Sequence, residues 1–261
     1  MEIQMCAAPR VTRVSILNDV LGPVMRGPSS SHTAGSYHIA KLVTGLFGAT
    51  PMAVEFAFDP NGSYAQVYRQ QGVDRALAVG VMGWSLTDDR FFAALDLAAA
   101  SGLEIRFAIR PLAKPDHPNT VEISMRAADG RRLAACARSI GGGAIEVVEV
   151  DGWPVGLTGY THEVLVDGPR AVAGPVVAAL SADGEMAGAP EIRERGGRVL
   201  VCARRLVAID RHTRAALAEL GGDVLVREAR AIAYVTAVLW PTFASMPARS
   251  CVGNGVDQAV G

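Results

Sequence analysis

The sequence predicts an α+β protein of two lobes followed by a tail. Three observations carry this. Val54, Phe56 and Phe58 alternate with their neighbours as a strand does, whereas Ile39, Leu42, Val43 and Leu46 fall at the i, i+3, i+4, i+7 spacing of a helix face. Asp129-Gly130 and Gly196-Gly197 each sit between two strand-like runs, the chemistry of a tight hairpin turn. From His162 onward the order reads βαββαβ, a small sandwich with helices on one sheet face.

The first lobe is bounded at residues 11–158. Its amphipathic helix is followed by the strand at residues 54–58. Residues 89–100 read as a helix ended by Gly102, and Leu103, Ile105 and Phe107 alternate again. The hairpin around Asp129-Gly130 comes next, and residues 145–150 add a strand. The second lobe is bounded at residues 160–234. It comprises a strand at 163–166, a helix at 171–180 with Gly174-Pro175 near its start, and a hairpin at 191–204. A helix at 210–220 closed by Gly221-Gly222 leads into a last strand from Val224. Residues 235–261 show no periodicity after Trp240 and form the tail, disordered or docked on a partner.

Composition narrows the function. The formal net charge is -1, which gives no bulk attraction to nucleic acid or to an anionic membrane. The apolar run 231–240 falls short of the ~20 residues a bilayer span needs. Residues 1–10 carry no secretory pattern, so a cytoplasmic protein is expected. The four cysteines, Cys6, Cys136, Cys202 and Cys251, are scattered, with no Cys-x-x-Cys pair, so this chain is expected to ligate no zinc or iron–sulfur cluster alone. Lys41 and Lys114 are the two lysines, and neither has the setting of a Schiff-base lysine, which argues against pyridoxal phosphate.

The segment that carries chemistry is Gly27-Pro28-Ser29-Ser30-Ser31-His32-Thr33-Ala34-Gly35, expected immediately before the first helix. A helix N-terminus offers unpaired N–H groups and partial positive charge, and the four hydroxyls add donors. Such an end can hold a small carboxylate without a lysine or arginine. His32 adds a group able to act as acid or base near neutral pH. The same residues also suit plain helix capping, and composition leaves both readings open.

The run, with Leu21-Gly22-Pro23-Val24-Met25 before it and Leu46-Phe47-Gly48 after it, resembles the signature of the beta chain or beta domain of iron–sulfur-dependent L-serine dehydratases. Gly62-Ser63-Tyr64-Ala65, His117-Pro118-Asn119-Thr120 and Ser139-Ile140-Gly141-Gly142-Gly143 followed by Ile145-Glu146 match that family's elements in order. The second lobe resembles its ACT-type domain more weakly. The resemblance covers about residues 14–230.

What the resemblance implies is elimination of ammonia from L-serine to give pyruvate, with a [4Fe–4S] cluster as Lewis acid on the β-hydroxyl. The cluster's cysteines belong to a partner alpha chain. Ser29, Ser30, Ser31 and Thr33 then hold the carboxylate of a small amino-acid substrate, His32 faces the reacting centre, and His117 and Asn119 line the site. The ACT-like lobe is expected to pair two beta chains rather than bind an amino acid tightly, since Pro175 lacks an N–H where such domains offer backbone donors.

One departure stands out. The family has Gly-His-Gly-Thr-Asp where this chain reads Gln70-Gln71-Gly72-Val73-Asp74, so Gln71 replaces a histidine. Glutamine cannot titrate, though it donates and accepts hydrogen bonds. That keeps two rivals open: a lyase for another β-substituted amino acid, and a non-catalytic amino-acid-sensing subunit. His38, His162 and His212 read as structural, and Gly141-Gly142-Gly143 as a tight turn, because no Lys-Ser/Thr follows as in a phosphate loop.

Overall fold

The computed structural model describes residues 25–27 and 29–232. Leu21 to Val24, Pro28, Cys6, Cys251 and the tail 235–261 lie outside the described residues.

The first lobe is a six-stranded sheet with helices on one face. In chain order it comprises α1 (Ser30–Phe47), β1 (Ala53–Phe58), α2 (Ser63–Val67), α3 (Val73–Val81), a 3-10 turn (Asp89–Ala93) and α4 (Ala94–Ala100). Then follow β2 (Glu104–Ile109), β3 (Thr120–Arg126), β4 (Arg132–Gly141), β5 (Ala144–Val150) and β6 (Trp153–Leu157). The strand order is β2-β1-β3-β4-β5-β6. Only β1 and β2 pair in parallel, with α2, α3 and α4 in the crossover. The hairpin expected at Asp129-Gly130 joins β3 to β4, and Gly142-Gly143, both at positive φ, turn β4 into β5. Helix α1 lies across β4 and β5 with α3 alongside.

Two local expectations are corrected. The serine-rich run does not precede the helix; Ser30 to Thr33 form its first turns, with Ser29 as the extended N-cap. Residues 89–100 are a 3-10 turn running into α4 rather than one helix. Helix α3 and strand β6 lie beyond the sequence expectations. α3 repeats Val73, Ala76, Leu77 and Val81 at helical spacing, but over nine residues, shorter than the window in which that period is distinctive. β6 holds Pro154 and Gly156, tolerated because it is the sheet's edge.

The second lobe follows the expected βαββαβ order: β7 (His162–Pro169), α5 (Ala173–Ser181), β8 (Glu191–Arg195), β9 (Arg198–Arg205), α6 (Arg211–Ala218) and β10 (Leu225–Ala229). Its strand order is β10-β7-β9-β8. Alternation along β7 and β9 explains how both faces are used. Val164, Val166, Val201 and Ala203 pack on Val176, Leu180 and Leu217 of the helices. Leu165, Leu200 and Cys202 join the core that α1 and the first sheet share, and Ala229 and Ile232 complete it.

Candidate functional site

The chain gathers its chemistry at one end of the first sheet. β1 leaves that end through Asp59 toward Ser63, β3 enters it after His117-Pro118-Asn119, and β4 reaches it at Ser139. The register, with Phe58 opposite Val121 and Thr120 opposite Arg138, places all three there. Helix α1 begins at the same end.

His32 sits in the first turn of α1, partly buried, and not in an exposed loop. Its Nδ1 lies 2.7 Å from Ser29 Oγ and its Nε2 3.2 Å from Ser63 Oγ. Ser29 is the N-cap residue, yet its side chain makes no capping hydrogen bond. The hydroxyl is turned to the imidazole instead, forgoing a contact usually worth about 1 kcal/mol. That choice argues against the bland capping reading. Burial lowers the His32 pKa, so the ring is neutral and able to accept a proton at neutral pH.

Beneath the imidazole lies Tyr64, whose ring meets that of His32 edge-on at 5.7 Å between centroids. Its hydroxyl is 2.9 Å from Ser36 Oγ on α1 and also hydrogen-bonds the Ser139 side chain of β4. Burial pushes the phenol up to about 12, so it stays protonated. Gly35 is required here: a Cβ at that position falls 2.1 Å from Ser139 Oγ.

The remaining sequence-predicted residues fall as follows. Thr33 is fully buried, and its hydroxyl donates to the carbonyls of Arg26 and Ser29. Its proton is thus engaged in holding the loop that enters α1. The side chains of Ser30 and Ser31 lie outside the described residues. His117 Nδ1 accepts from the Asn119 N–H at 3.1 Å, which orders their loop. That loop is tied to the site by the Ser63 N–H donating to Pro118 O at 2.8 Å and the Ser139 N–H donating to Asn119 O at 3.2 Å. The Asn119 Oδ1 is buried without a hydrogen-bond partner among the described residues. A Cβ on Gly72 would fall 3.6 Å from the Thr33 methyl, which brings the Gln71 segment to the same end. His38, as expected, is structural: it is buried, bonds Gly143 O at 2.8 Å and is depressed to about 4, chiefly by burial.

Sequence reasoning gave no role to Ser63, Tyr64, Ser36 or Ser139. Ser63 and Ser139 carried a signal, since each stands in a segment that resembles one of the family's elements, Gly62-Ser63-Tyr64-Ala65 and Ser139-Ile140-Gly141-Gly142-Gly143. Tyr64 belongs to the same element as Ser63, and Ser36 carried no signal.

The donor set among the described residues does not suit an iron–sulfur cluster. Such clusters take thiolates. The described cysteines, Cys136 on β4 and Cys202 on β9, are buried, and burial pushes each thiol up to about 11. No group of three or more His, Cys, Asp or Glu side chains among the described residues is placed to hold a metal. No helix among them is long and apolar enough to cross a membrane.

Two known proteins are similar to the chain. It is 39% identical over 148 residues to the probable L-serine dehydratase beta chain of Bacillus subtilis (strain 168), a match covering 57% of this chain and 66% of that one. It is 36% identical over 152 residues to the L-serine dehydratase beta chain of Peptoniphilus asaccharolyticus, covering 58% and 68%. The chain thus spans about two thirds of the length of each relative. No family model matches it.

Proposed function

Because the chain belongs to the family of L-serine dehydratase beta chains, we propose that it is the beta subunit of an ammonia-lyase converting L-serine to pyruvate and ammonia, with its [4Fe–4S] cluster held by an alpha chain. The single observation that carries this reading is His32, neutral and bracketed by hydroxyls in the first turn of a helix. Elimination needs a group that takes or gives a proton beside a grip on the substrate carboxylate. The first N–H groups of α1 have no carbonyl within the helix to bond, and they supply that grip together with Ser29, Ser30 and Ser31. Thr33 fixes Ser29 and Arg26 beneath it. Asn119 presents a buried amide oxygen without a partner, suited to the substrate ammonium, the donor that an α-amino acid brings. His117 orders that loop. The described cysteines, Cys136 and Cys202, are buried, which suits a cluster held by another chain, and the enzyme is expected to work in the cytoplasm. The βαββαβ lobe is the part proposed to be ACT-like and to pair two beta chains.

The test is anaerobic co-expression of the full chain with the alpha chain. L-Serine turnover is expected from the pair and from neither chain alone. His32→Ala in the assembled enzyme is expected to lower kcat by at least ~100-fold. Near-normal kcat in that variant removes His32 from the mechanism, and failure to turn over L-serine with a loaded cluster removes the substrate assignment.

A further inference from the structure

The bracket around His32 has an unusual chemical property. A neutral imidazole carries one N–H and one lone pair, and an imidazolium carries two N–H groups. A carboxylate at either nitrogen favours the charged ring, and a fixed N–H donor favours a lone pair. A hydroxyl does neither, since it rotates to donate to a lone pair or to accept from an N–H. Here both ring nitrogens face hydroxyls, Ser29 Oγ at 2.7 Å and Ser63 Oγ at 3.2 Å.

We infer that Ser63 is the positioning residue for His32, the second jaw of a Ser29–His32–Ser63 clamp that holds the ring still while its proton comes and goes. Three features place it for this role. Its backbone N–H is tied to Pro118 O, so it stands at a fixed point between the Asn119 loop and the ring. Its neighbour Tyr64 supports the ring from below and is locked to α1 and β4. Gly62 lets the chain approach closely, since a Cβ there falls 2.8 Å from Pro118 O. Ser29 belongs to the helix itself, and Ser63 is the jaw contributed by another part of the chain. Ser63→Ala removes the hydroxyl partner at Nε2 and leaves the Ser29 hydroxyl at Nδ1.

The inference rests on the proposed acid–base role of His32, and the experiment separates the two. The full-length chain, labelled at histidine, is titrated by NMR, with His32 identified by the signal missing from His32→Ala. Ser63→Asp is expected to raise the His32 midpoint by about one pH unit or more, because a carboxylate at Nε2 favours the imidazolium. An unmoved midpoint overturns the contact. In the assembled enzyme Ser63→Ala is expected to lower kcat about tenfold or more with KM changed less than about twofold, and Ser63→Thr to restore most of the loss. Wild-type kcat in Ser63→Ala overturns the positioning role. If His32→Ala itself keeps turnover, the acid–base reading falls and the positioning role falls with it, whereas loss in His32→Ala with none in Ser63→Ala sinks the clamp alone.

Discussion

Gln71 buries its amide oxygen with no hydrogen-bond partner among the described residues, at a cost of about 1–3 kcal/mol for such an acceptor. An unmet acceptor of this kind is tolerated where a ligand or partner supplies the missing donor. A Cβ on the next residue, Gly72, would fall 3.6 Å from the Thr33 methyl, and by the resemblance described above Gln71 stands where the family's motif has a histidine. An imidazole there can transfer a proton, and an amide can only donate or accept a hydrogen bond. Gln71→His in the assembled complex is therefore expected to raise kcat on L-serine more than it alters KM, because a proton-transfer gain appears in the transition state. The comparison needs a fully loaded cluster in both proteins. If the wild type already turns over serine rapidly and the variant matches it, Gln71 has a local hydrogen-bonding role only.

At the scale of elements, the contact between α1 and β4 decides whether the site holds its shape. Gly35 lets Ser139 sit against the helix, and Gly80 of α3 likewise meets Ala40 and Tyr37 on α1. Gly35→Ala brings a methyl 2.8 Å from Ser139 Cβ, so the strand itself must shift. The alanine's better helix propensity is worth roughly 1 kcal/mol and overpacking costs roughly 1–3 kcal/mol, so a net loss is expected. Urea midpoints check this, and Ser139→Gly in the same chain is expected to recover most of the loss, since it removes both clashing atoms. Full stability of the single variant excludes the tight contact. The same contact shows what a sequence can reveal. Helix α1, the hairpins at Asp129-Gly130 and Gly196-Gly197 and the βαββαβ order were legible because periodicity and turn chemistry are local. The P-S-S-S-H-T run marked one half of the site for the same reason. Ser63, Tyr64 and Ser139 join it only through sheet register and helix packing, which no local pattern encodes. α3 repeats Val73, Ala76, Leu77 and Val81 at helical spacing, but nine residues are too few for that period to stand out.

For the whole molecule, what matters is how the two lobes are joined. Polar contacts stitch the rim: Trp153 Nε1 donates to Asp167 at 2.7 Å, and Arg227 bridges Asp151 at 2.7 Å and Arg132 O at 2.9 Å. Inside the rim lies Glu163, 1% exposed, on the face of β7 turned to the first lobe. Its Oε2 accepts no hydrogen bond among the described residues, and Arg204, 4.0 Å away, is engaged at 3.0 Å by Glu191 and at 3.1 Å by Gly156 O. Burial therefore prevails over Arg204 and over the N–H groups of Gly159 and Thr158, and raises the carboxyl to about 7. The sign follows from linkage. Below its ordinary value near 4.5 the group is protonated whether the chain is folded or not, and it costs nothing. As pH rises from there through about 7, the unfolded chain releases the proton first, so the folded state loses stability. Above about 7 the loss levels off, at about 3 kcal/mol. Glu163→Gln keeps the shape and has no proton to release. The variant is therefore expected to match the wild type near pH 4.5, to gain on it steadily toward pH 7, and to stay ahead above that. Urea unfolding of both proteins from acidic to mildly alkaline pH measures the gap, and two stability curves that run parallel across the range refute a neutral, buried Glu163 at the junction of the lobes.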